Sequence, residues 1–314
     1  MNDLSKINQT LEVLYLALRS VKRTKPSIIS GVFRAISKDI SSLTEVNDTL
    51  ENMELGGHIL SDYDWERALN ILHEHESSGI RVITLKDILY PQSLRVIKDA
   101  PTAIFLKGNV ETLTNIPGMA IVGTRKASSN GKAIARRVSE FLSECGWTIV
   151  SGLALGIDAE AHRGCLNKNG ETIAVLAGGL DKPTPASNSK LGYEILDKGG
   201  AWLSEHPLGV PTKREFFVPR NRIQIGLSVG SLIVEAEIKS GSTSQANFCT
   251  GQGRALFAIV PHEDNNPLKL NCAGTQDLVK NKGAIPIRTR GDYERLLKVM
   301  NSHLEELGGK VSQD

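Results

Sequence analysis

The feature that most constrains the fold is a regular alternation of short apolar segments with longer amphipathic ones, which begins near residue 118 and continues almost to the end of the chain. The apolar segments are rich in Val, Ile and Ala. The first amphipathic segment, SNGKAIARRVSEFLSECG, carries its apolar residues on one helical stripe and ends in Gly146. Buried strands that alternate with helices predict an α/β fold, with an extended Rossmann-like, mostly parallel sheet and helices on both of its faces.

The N-terminal part has a different pattern. Within residues 1–75, three segments place apolar residues at helical spacing, and no strand-like alternation interrupts them. Two short strands, GIRVITL and AIFLKGN, precede the main alternation. We therefore expect a small helical domain over 1–75, the Rossmann-like domain over 79–300, and a helix end with a polar tail over 301–314.

Composition limits the kinds of partner and site. The net charge is only +2, so binding of nucleic acid would require a local basic patch. The four cysteines are scattered without a CxxC pair, which argues against a metal site or a disulfide framework. No apolar run approaches the roughly 20 residues that span a bilayer, and the start lacks the pattern of a signal peptide. We expect a cytoplasmic protein with no membrane span and no metal.

The loops that follow the predicted strands are the expected ligand site, because ligands bind beyond the carboxyl ends of parallel strands. Several of these loops are rich in Gly or Ser directly before a helix, which suits an anion such as phosphate. The chain contains neither GxGxxG nor GxxxxGK[ST], so dinucleotide binding and P-loop ATP hydrolysis lack their usual signatures.

Positive charge and aromatic residues concentrate in the loop that leads into FFVPRNRIQIGLS. Residues 211–222 contain four cations and one anion, beside Phe216 and Phe217. Cations that neutralise phosphates, next to aromatic rings that stack on bases, are typical of a single-strand binding surface. The same residues are also compatible with a helix start that has solvated charges and core phenylalanines, and composition alone leaves both interpretations open.

A catalytic constellation is not evident. Asp158 and His162 lie four residues apart on one predicted helix and could form an acid–base pair. The structural interpretation is favoured, with Asp158 bound to the N–H groups at the helix start and His162 hydrogen-bonded beneath the loop. No Ser/His/Asp triad can be assembled, so we predict no catalytic residue.

The motif series AIVGTRKAS, VSGLALGIDAEAH, IAVLAGGLD, SEHPLGVPTKREFFVPRNRIQIGLS, LIVEAEIKSGSTSQA and GQGRALFAIVP resembles, in order and spacing, the DNA-processing protein A (DprA/Smf) family. The resemblance covers about residues 80–285. It implies a homodimer that binds single-stranded DNA, protects incoming DNA and loads a RecA-type recombinase in natural transformation and homologous recombination. It implies no catalysis and no cofactor, and a possible contact with single-strand-binding protein.

The resemblance also bears on domains and on individual residues. The N-terminal helices look like the family's small helical (SAM-like) domain, whereas we expect no C-terminal winged-helix domain of the kind that many relatives append. Leu155 stands where many relatives carry Arg, and Lys182 to Pro185 replace the usual aromatic-Pro. Together with the loop positions, the matching motifs predict the following DNA-binding residues, with Asp158 and His162 as structural neighbours: Gly123, Thr124, Arg125, Lys126, Ser151, Gly152, Gly156, Gly178, Gly179, Lys182, Lys213, Arg214, Phe217, Arg220, Asn221, Arg222, Gly241 and Ser242.

Among these residues, Arg220 is the expected phosphate ligand and Phe217 the expected stacking residue. If both arginines are exposed ligands, Arg125→Ala and Arg220→Ala should each lower DNA affinity without unfolding the protein. Asn221 and Arg222 could instead brace the loop from beneath.

Two other functions remain open at this point. Rossmann-like nucleotide phosphoribohydrolases of the lysine-decarboxylase-like type carry a Pro-Gly-Gly-x-Gly-Thr loop and a catalytic Glu. Here the comparable loops read AGGLD and KSGSTSQAN, and Glu235 is the only candidate for that role. The third hypothesis is a nucleotide-sensing module.

Overall fold

The computed structural model describes residues 10–21, 24–36, 42–55, 59–113 and 118–311. These residues form two compact units. The first contains the chain up to Tyr90 together with Pro101–Leu106, and the second contains Pro91–Ala100 together with the chain from Lys107 onward. The division into domains at residues 75 and 300 stays a prediction.

Among its described residues, the first unit contains four helices, one whole strand, and the part of a second strand up to Leu106. Three of the helices coincide with the predicted helical segments. The helix over 43–52 has no counterpart in the sequence prediction, although its Leu43, Val46 and Leu50 recur at helical spacing and the last two are buried. Its start is fixed by Ser42, whose Oγ accepts a hydrogen bond from the Glu45 N–H at 3.3 Å. The elements are α1 (Thr10–Ser20), α2 (Pro26–Ala35), α3 (Leu43–Asn52), α4 (Asp62–Ser77), β1 (Ile80–Thr84) and β2 (Ala103–Gly108).

The second unit carries the strand–helix alternation that the sequence predicts. Its helices and strands are α5 (Gln92–Arg95), β3 (Gly118–Val122), α6 (Ser129–Glu144), β4 (Ile149–Ser151), α7 (Ile157–Asn167), β5 (Thr172–Val175), α8 (Ser189–Asp197), β6 (Ala201–Ser204), α9 (Phe217–Gly226), β7 (Ser228–Ile233), α10 (Gly241–Gly251), β8 (Ala255–Ile259), α11 (Ala273–Lys282), β9 (Ile285–Ile287) and α12 (Tyr293–Val311).

The sheet of this unit is parallel, and helices cover both faces. Within it the strands lie in the order β6-β5-β4-β3-β7-β8-β9, and each neighbouring pair is parallel. Successive side chains of β3 point to opposite faces: Met119 and Ile121 pack with α6, α7 and α12, whereas Ala120 and Val122 pack with α9, α10 and α11. The predicted fold class is confirmed.

The order of the strands reverses between β3 and β7. From β3 the chain adds β4, β5 and β6 on one side, whereas β7 lies on the other side of β3 and is followed by β8 and β9. At such a switch point, the loops after the two central strands diverge and leave a crevice beyond their carboxyl ends. This crevice is where the fold favours a ligand.

One boundary differs from the sequence prediction. The run RNRIQIGLS predicts a helix that continues to Ser228, but α9 ends at Gly226 and β7 begins at Ser228. The Ser228 Oγ donates to the Gln224 carbonyl at 2.8 Å, which satisfies a carbonyl of the last helical turn. Ser228 also pairs with Gly118 of β3, so the strand begins directly after the helix.

None of the helices within the described residues is both long and apolar enough to cross a membrane.

Candidate nucleic-acid interface

A cavity of about 370 Å³ lies at the switch point of the sheet. Its walls are formed by the loops after β3, β4 and β7, the first turn of α7, and the N-terminal halves of α9 and α10. The structure therefore brings together residues from four of the predicted loops, those after β3, β4, β6 and β7. The predicted residues that line the cavity are Gly123, Thr124, Arg125, Lys126, Asp158, Phe217, Arg220, Asn221, Gly241 and Ser242.

The loop that carries Arg125 and Lys126 is held at both ends by Glu235, a fully buried residue that follows β7. The Thr124 N–H donates to the Glu235 carbonyl at 2.8 Å. At the other end of the loop, the Ser128 Oγ donates to Glu235 Oε1 at 2.7 Å and the Ser128 N–H donates to Oε2 at 2.8 Å. Arg125 and Lys126 lie between these anchors and are exposed, so their cationic groups face solvent from a fixed backbone.

Ser128 also starts the following helix. Its Oγ accepts a hydrogen bond from the Gly131 N–H at 2.9 Å, which caps α6. Glu235 Oε1 also accepts a second hydrogen bond, from the Asn271 N–H at 2.8 Å. The carboxylate is thus occupied on both oxygens and joins three segments of the chain.

Arg220 differs from the exposed phosphate ligand that the sequence predicted, because only 6% of its surface is exposed. Its Nη1 donates to the Val175 carbonyl at the end of β5 at 2.8 Å. The guanidinium lies against the backbone of Gly152, where a Cβ atom would overlap it. Gly152 is therefore needed for the close approach of Arg220, whatever its role toward a ligand.

The charges of Arg220 and Asp158 offset each other. Burial lowers the pKa of Arg220 to about 10, and the nearby Asp158 opposes that shift. Burial likewise raises the pKa of Asp158, and Arg220 is the largest opposing influence. Each group therefore reduces the cost of burying the other.

Asp158 and His162 do not form an acid–base pair, because each has other partners. Asp158 lies in the first turn of α7, and its Oδ2 accepts the Gly152 N–H at 3.2 Å. His162 is fully buried, with Nδ1 at 2.7 Å from the Thr172 Oγ1. Burial lowers the pKa of His162 to about 3, so the imidazole is neutral at physiological pH. Both residues thus make contacts internal to the fold, although Asp158 binds the N–H of the loop residue Gly152 and not the N–H groups of the helix start that the sequence suggested.

The two phenylalanines have different environments. Phe216 stacks on His206, with ring centroids 4.1 Å apart. The Lys213 Nζ also lies 5.7 Å from the Phe216 centroid. Phe217 lines the cavity, and the Arg125 guanidinium lies 4.9 Å from its ring centroid. Of the two, Phe217 is the ring that a ligand in the cavity would meet.

Arg222 has the bracing contacts that the sequence left as an alternative. Its Nη1 and Nη2 donate to the two carboxylate oxygens of Glu205 at 2.9 and 2.6 Å. Its Nε donates to the Asp99 carbonyl at 2.9 Å. These hydrogen bonds of the Arg222 guanidinium connect α9 to the loop after β6 and to the segment before β2. A phosphate would therefore have to displace protein acceptors in order to bind Arg222.

The remaining predicted residues lie outside the cavity lining. The Ser151 Oγ donates to the Ile121 carbonyl at 2.7 Å, and the Gly179 N–H donates to the Val210 carbonyl at 2.8 Å. Both contacts are internal to the fold, whereas Lys182, Lys213 and Arg214 are exposed. Contact with DNA stays a prediction for all the predicted residues. The predicted DNA-binding residues that do not line the cavity are Ser151, Gly152, Gly156, Gly178, Gly179, Lys182, Lys213, Arg214 and Arg222.

The cavity also contains polar residues that the sequence prediction missed, namely Gln224, Glu237, Ser240 and Gln245. Gln224 had a recognisable signal, since it is the single polar residue of the run IQIGL and lies one helical turn after Arg220. Within the described ranges, no three His, Cys, Asp or Glu side chains are grouped as metal ligands would be.

Comparison with known proteins supports the resemblance. Residues 81–298 match the family model described as DNA recombination-mediator protein A. Protein Smf of Synechocystis is 37% identical over 72% of this chain and 60% of its own length, so the chain spans about three fifths of that relative. The solved structure of DNA processing protein A from Streptococcus pneumoniae has a TM-score of 0.65 at 29% identity, covering 91% of this chain and 94% of that one.

A second solved structure concerns binding directly. DNA processing protein A from Helicobacter pylori has a TM-score of 0.60 at 31% identity, covering 69% of this chain and 96% of that one. That structure was determined in a study of the protein's single-stranded-DNA binding mode.

Proposed function

Because the chain belongs to the DNA recombination-mediator protein A (DprA/Smf) family, we propose that it binds single-stranded DNA at the switch-point cavity and acts as a recombination mediator rather than as an enzyme. The observation that carries this proposal is the convergence of Arg125, Lys126 and Arg220 with Phe217 at one cavity. Cations beside an aromatic ring suit a strand that offers both phosphates and unstacked bases.

We also propose a finer role, which membership of the family supports. The protein would act in the cytoplasm as a homodimer, protect incoming single strands, and load a RecA-type recombinase onto them during natural transformation and homologous recombination. It could also contact single-strand-binding protein. A pull-down with recombinase should recover more complex when single-stranded DNA is present, and equal recovery with and without DNA would contradict DNA-dependent loading.

Binding of an oligo-dT strand should weaken steeply with salt and exceed duplex binding at equal salt. Each neutralised phosphate of a single strand contributes about −0.7 to the slope of log affinity against log salt, so the two exposed cations of the cavity, Arg125 and Lys126, predict a slope of about −1.4. Arg220 adds no further phosphate, because its charge is buried and offset by Asp158. Titrations over a range of salt concentrations measure that slope directly. Equal affinity for duplex, or a flat salt response, would contradict the proposal.

Two lysine variants provide a matched control. Lys126 and Lys298 are both exposed, but only Lys126 lines the cavity, whereas Lys298 lies on α12. Lys126→Ala should reduce the salt slope by about 0.7 if that lysine neutralises one phosphate. Lys298→Ala should leave the slope unchanged, because its removal affects no group near the cavity.

The hydrolase alternative is disfavoured by the surroundings of Glu235. A catalytic carboxylate must reach its substrate, but Glu235 is fully buried and both of its oxygens accept hydrogen bonds from Ser128 or Asn271. We expect no release of free base when the protein is incubated with nucleoside monophosphates. Steady release would instead favour the enzyme. Saturable binding of a free nucleotide without binding of single strands would favour the sensing module.

A further inference from the structure

Tyr193 is an exposed aromatic residue on α8, outside the cavity. Its side chain is 46% exposed, and its ring packs on Trp202 of β6 with the ring centroids 5.3 Å apart. Trp202 is fully buried, and its Nε1 donates to the Gly192 carbonyl at 2.8 Å. The fixed indole therefore supports the tyrosine ring from beneath, while the exposed part of the ring is open to a ligand.

Two lysines lie beside Tyr193 and form with it a surface that we call the α8 patch. Lys190 is exposed and precedes the tyrosine by one turn of α8, so the two side chains are neighbours on the helix. Exposed Lys182 is brought next to the same helix by Pro183, which packs so closely on Gly192 that a Cβ atom there would overlap the proline ring. Neither lysine forms an ion pair with a residue that the structure describes.

The acidic groups near the α8 patch do not neutralise it. Asp181 accepts the Gly209 N–H on both carboxylate oxygens at 3.0 Å, and Glu194 forms an ion pair with Lys198 at 3.4 Å. Asp197 is exposed, but it lies one helical turn beyond the tyrosine, on the side away from the lysines. The patch therefore combines net positive charge with an exposed aromatic ring.

The loop after β4 connects the α8 patch to the cavity. Ala154 of this loop lines the cavity. The carbonyl of the preceding residue, Leu153, accepts a hydrogen bond at 2.8 Å from the Nδ2 of Asn188, which lies directly before α8. Leu155, the next residue of the loop, is 43% exposed and adds apolar surface. A strand that leaves the cavity over this loop meets the α8 patch next.

The chemistry of the α8 patch fits single-stranded DNA. Lysines neutralise the phosphates of the backbone, and a base of any sequence can stack on an aromatic ring. A single strand exposes the faces of its bases, whereas a duplex covers them by stacking. The patch thus offers a single strand both kinds of contact that it requires, at a place that is continuous with the cavity.

We propose that the α8 patch is a second binding site for the strand, in which one base stacks on Tyr193 and the neighbouring phosphates contact Lys182 and Lys190. The inference rests on the proposed function and extends it beyond the cavity. A strand that occupies both sites makes its second contact intramolecularly, which raises the affinity without any change in either site. The contribution of the patch should therefore depend on the length of the strand.

The test measures the affinity of the full chain for oligo-dT strands from about four to about sixteen nucleotides, at equal salt. Tyr193→Leu keeps an apolar contact with Trp202 but removes the stacking ring. It should lower the affinity for the longest strand about fivefold or more and leave that for the shortest unchanged. Tyr193→Phe keeps the ring and should bind as wild type does at every length. Tyr63→Leu is the matched control, because Tyr63 is an exposed tyrosine on α4, and it should also bind as wild type does.

The salt dependence gives a second measurement on the same strands. Lys190→Ala should reduce the salt slope of the longest strand by about 0.7 and leave that of the shortest strand unchanged. Equal effects of Tyr193→Leu on short and long strands, or no effect on either, would overturn the second site and leave the proposed function intact. A changed oligomeric state of Tyr193→Leu with unchanged DNA affinity would overturn it in favour of a contact with a second copy of the chain. Failure of strands of every length to bind would overturn the proposed function itself, and this inference with it.

Discussion

Replacing Arg220 with alanine is expected to lower both the affinity for single-stranded DNA and the free energy of unfolding. Arg220 is buried, its Nη1 donates to the Val175 carbonyl, and its charge offsets that of buried Asp158. Removing one partner of a buried charge pair costs about 3–5 kcal/mol, because the remaining charge stays buried without compensation. Chemical denaturation measures this loss. DNA affinity must be measured on the folded fraction, where we expect a decrease of about tenfold or more.

This expectation corrects the sequence prediction that Arg220→Ala would spare stability, which assumed an exposed side chain. Arg125 does fit that assumption, since it is exposed and lines the cavity. Arg125→Ala should also lower DNA affinity about tenfold. Its cost in stability should not exceed about 1 kcal/mol, mainly from losing the contact of the guanidinium with Phe217.

Arg295 provides a matched control, because it is an exposed arginine on α12 that does not line the cavity. Arg295→Ala should change neither DNA affinity nor stability beyond about 0.5 kcal/mol. If Arg220→Ala unfolds at the same denaturant concentration as wild type, Arg220 has no structural role. If Arg125→Ala and Arg220→Ala both bind DNA as wild type does, the site lies elsewhere.

The sequence was sufficient to predict the layers of the second unit and that residues of several strand-end loops meet at one cavity. Alternation of apolar strands with helices is a local pattern, and it determines that the loops after the strands share one edge of a parallel sheet. That rule brings Arg125 and Arg220 to the same cavity although 95 residues separate them in the numbering. It does not reveal which of the two side chains is buried.

Burial of Arg220 depends on partners that are distant in the chain. Its guanidinium is covered because Gly152 allows a close approach and the Val175 carbonyl accepts a hydrogen bond from its Nη1. Neither relation has a local signature in RNRIQIGLS. The same holds for Gln245 of the cavity, whose Nε2 donates to the Ser231 Oγ of β7 at 3.0 Å.

Glu235 is the other residue whose role depends on distant contacts, and we expect Glu235→Ala to cost about 4 kcal/mol or more in the free energy of unfolding. The substitution would leave the Ser128 and Asn271 N–H groups and the Ser128 hydroxyl without their acceptor, and would open a cavity beneath α6. Each unpaired buried donor costs about 1–3 kcal/mol. Glu235→Gln should cost about half as much, since it keeps one acceptor oxygen but turns an NH₂ group toward a donor.

Glu237 supplies the control for Glu235, because it lies two residues further along the chain and is exposed. Glu237→Ala should change the free energy of unfolding by no more than about 0.5 kcal/mol. DNA affinity of the folded Glu235→Ala protein should also fall, because the loop with Arg125 loses its carboxylate anchor. A catalytic Glu235 would give the opposite pattern, with stability retained and release of base from nucleotides abolished. Denaturation curves and a nucleotide-hydrolysis assay on Glu235→Ala and Glu237→Ala therefore decide whether the Glu235 carboxylate positions the loop that carries Arg125 or carries out chemistry.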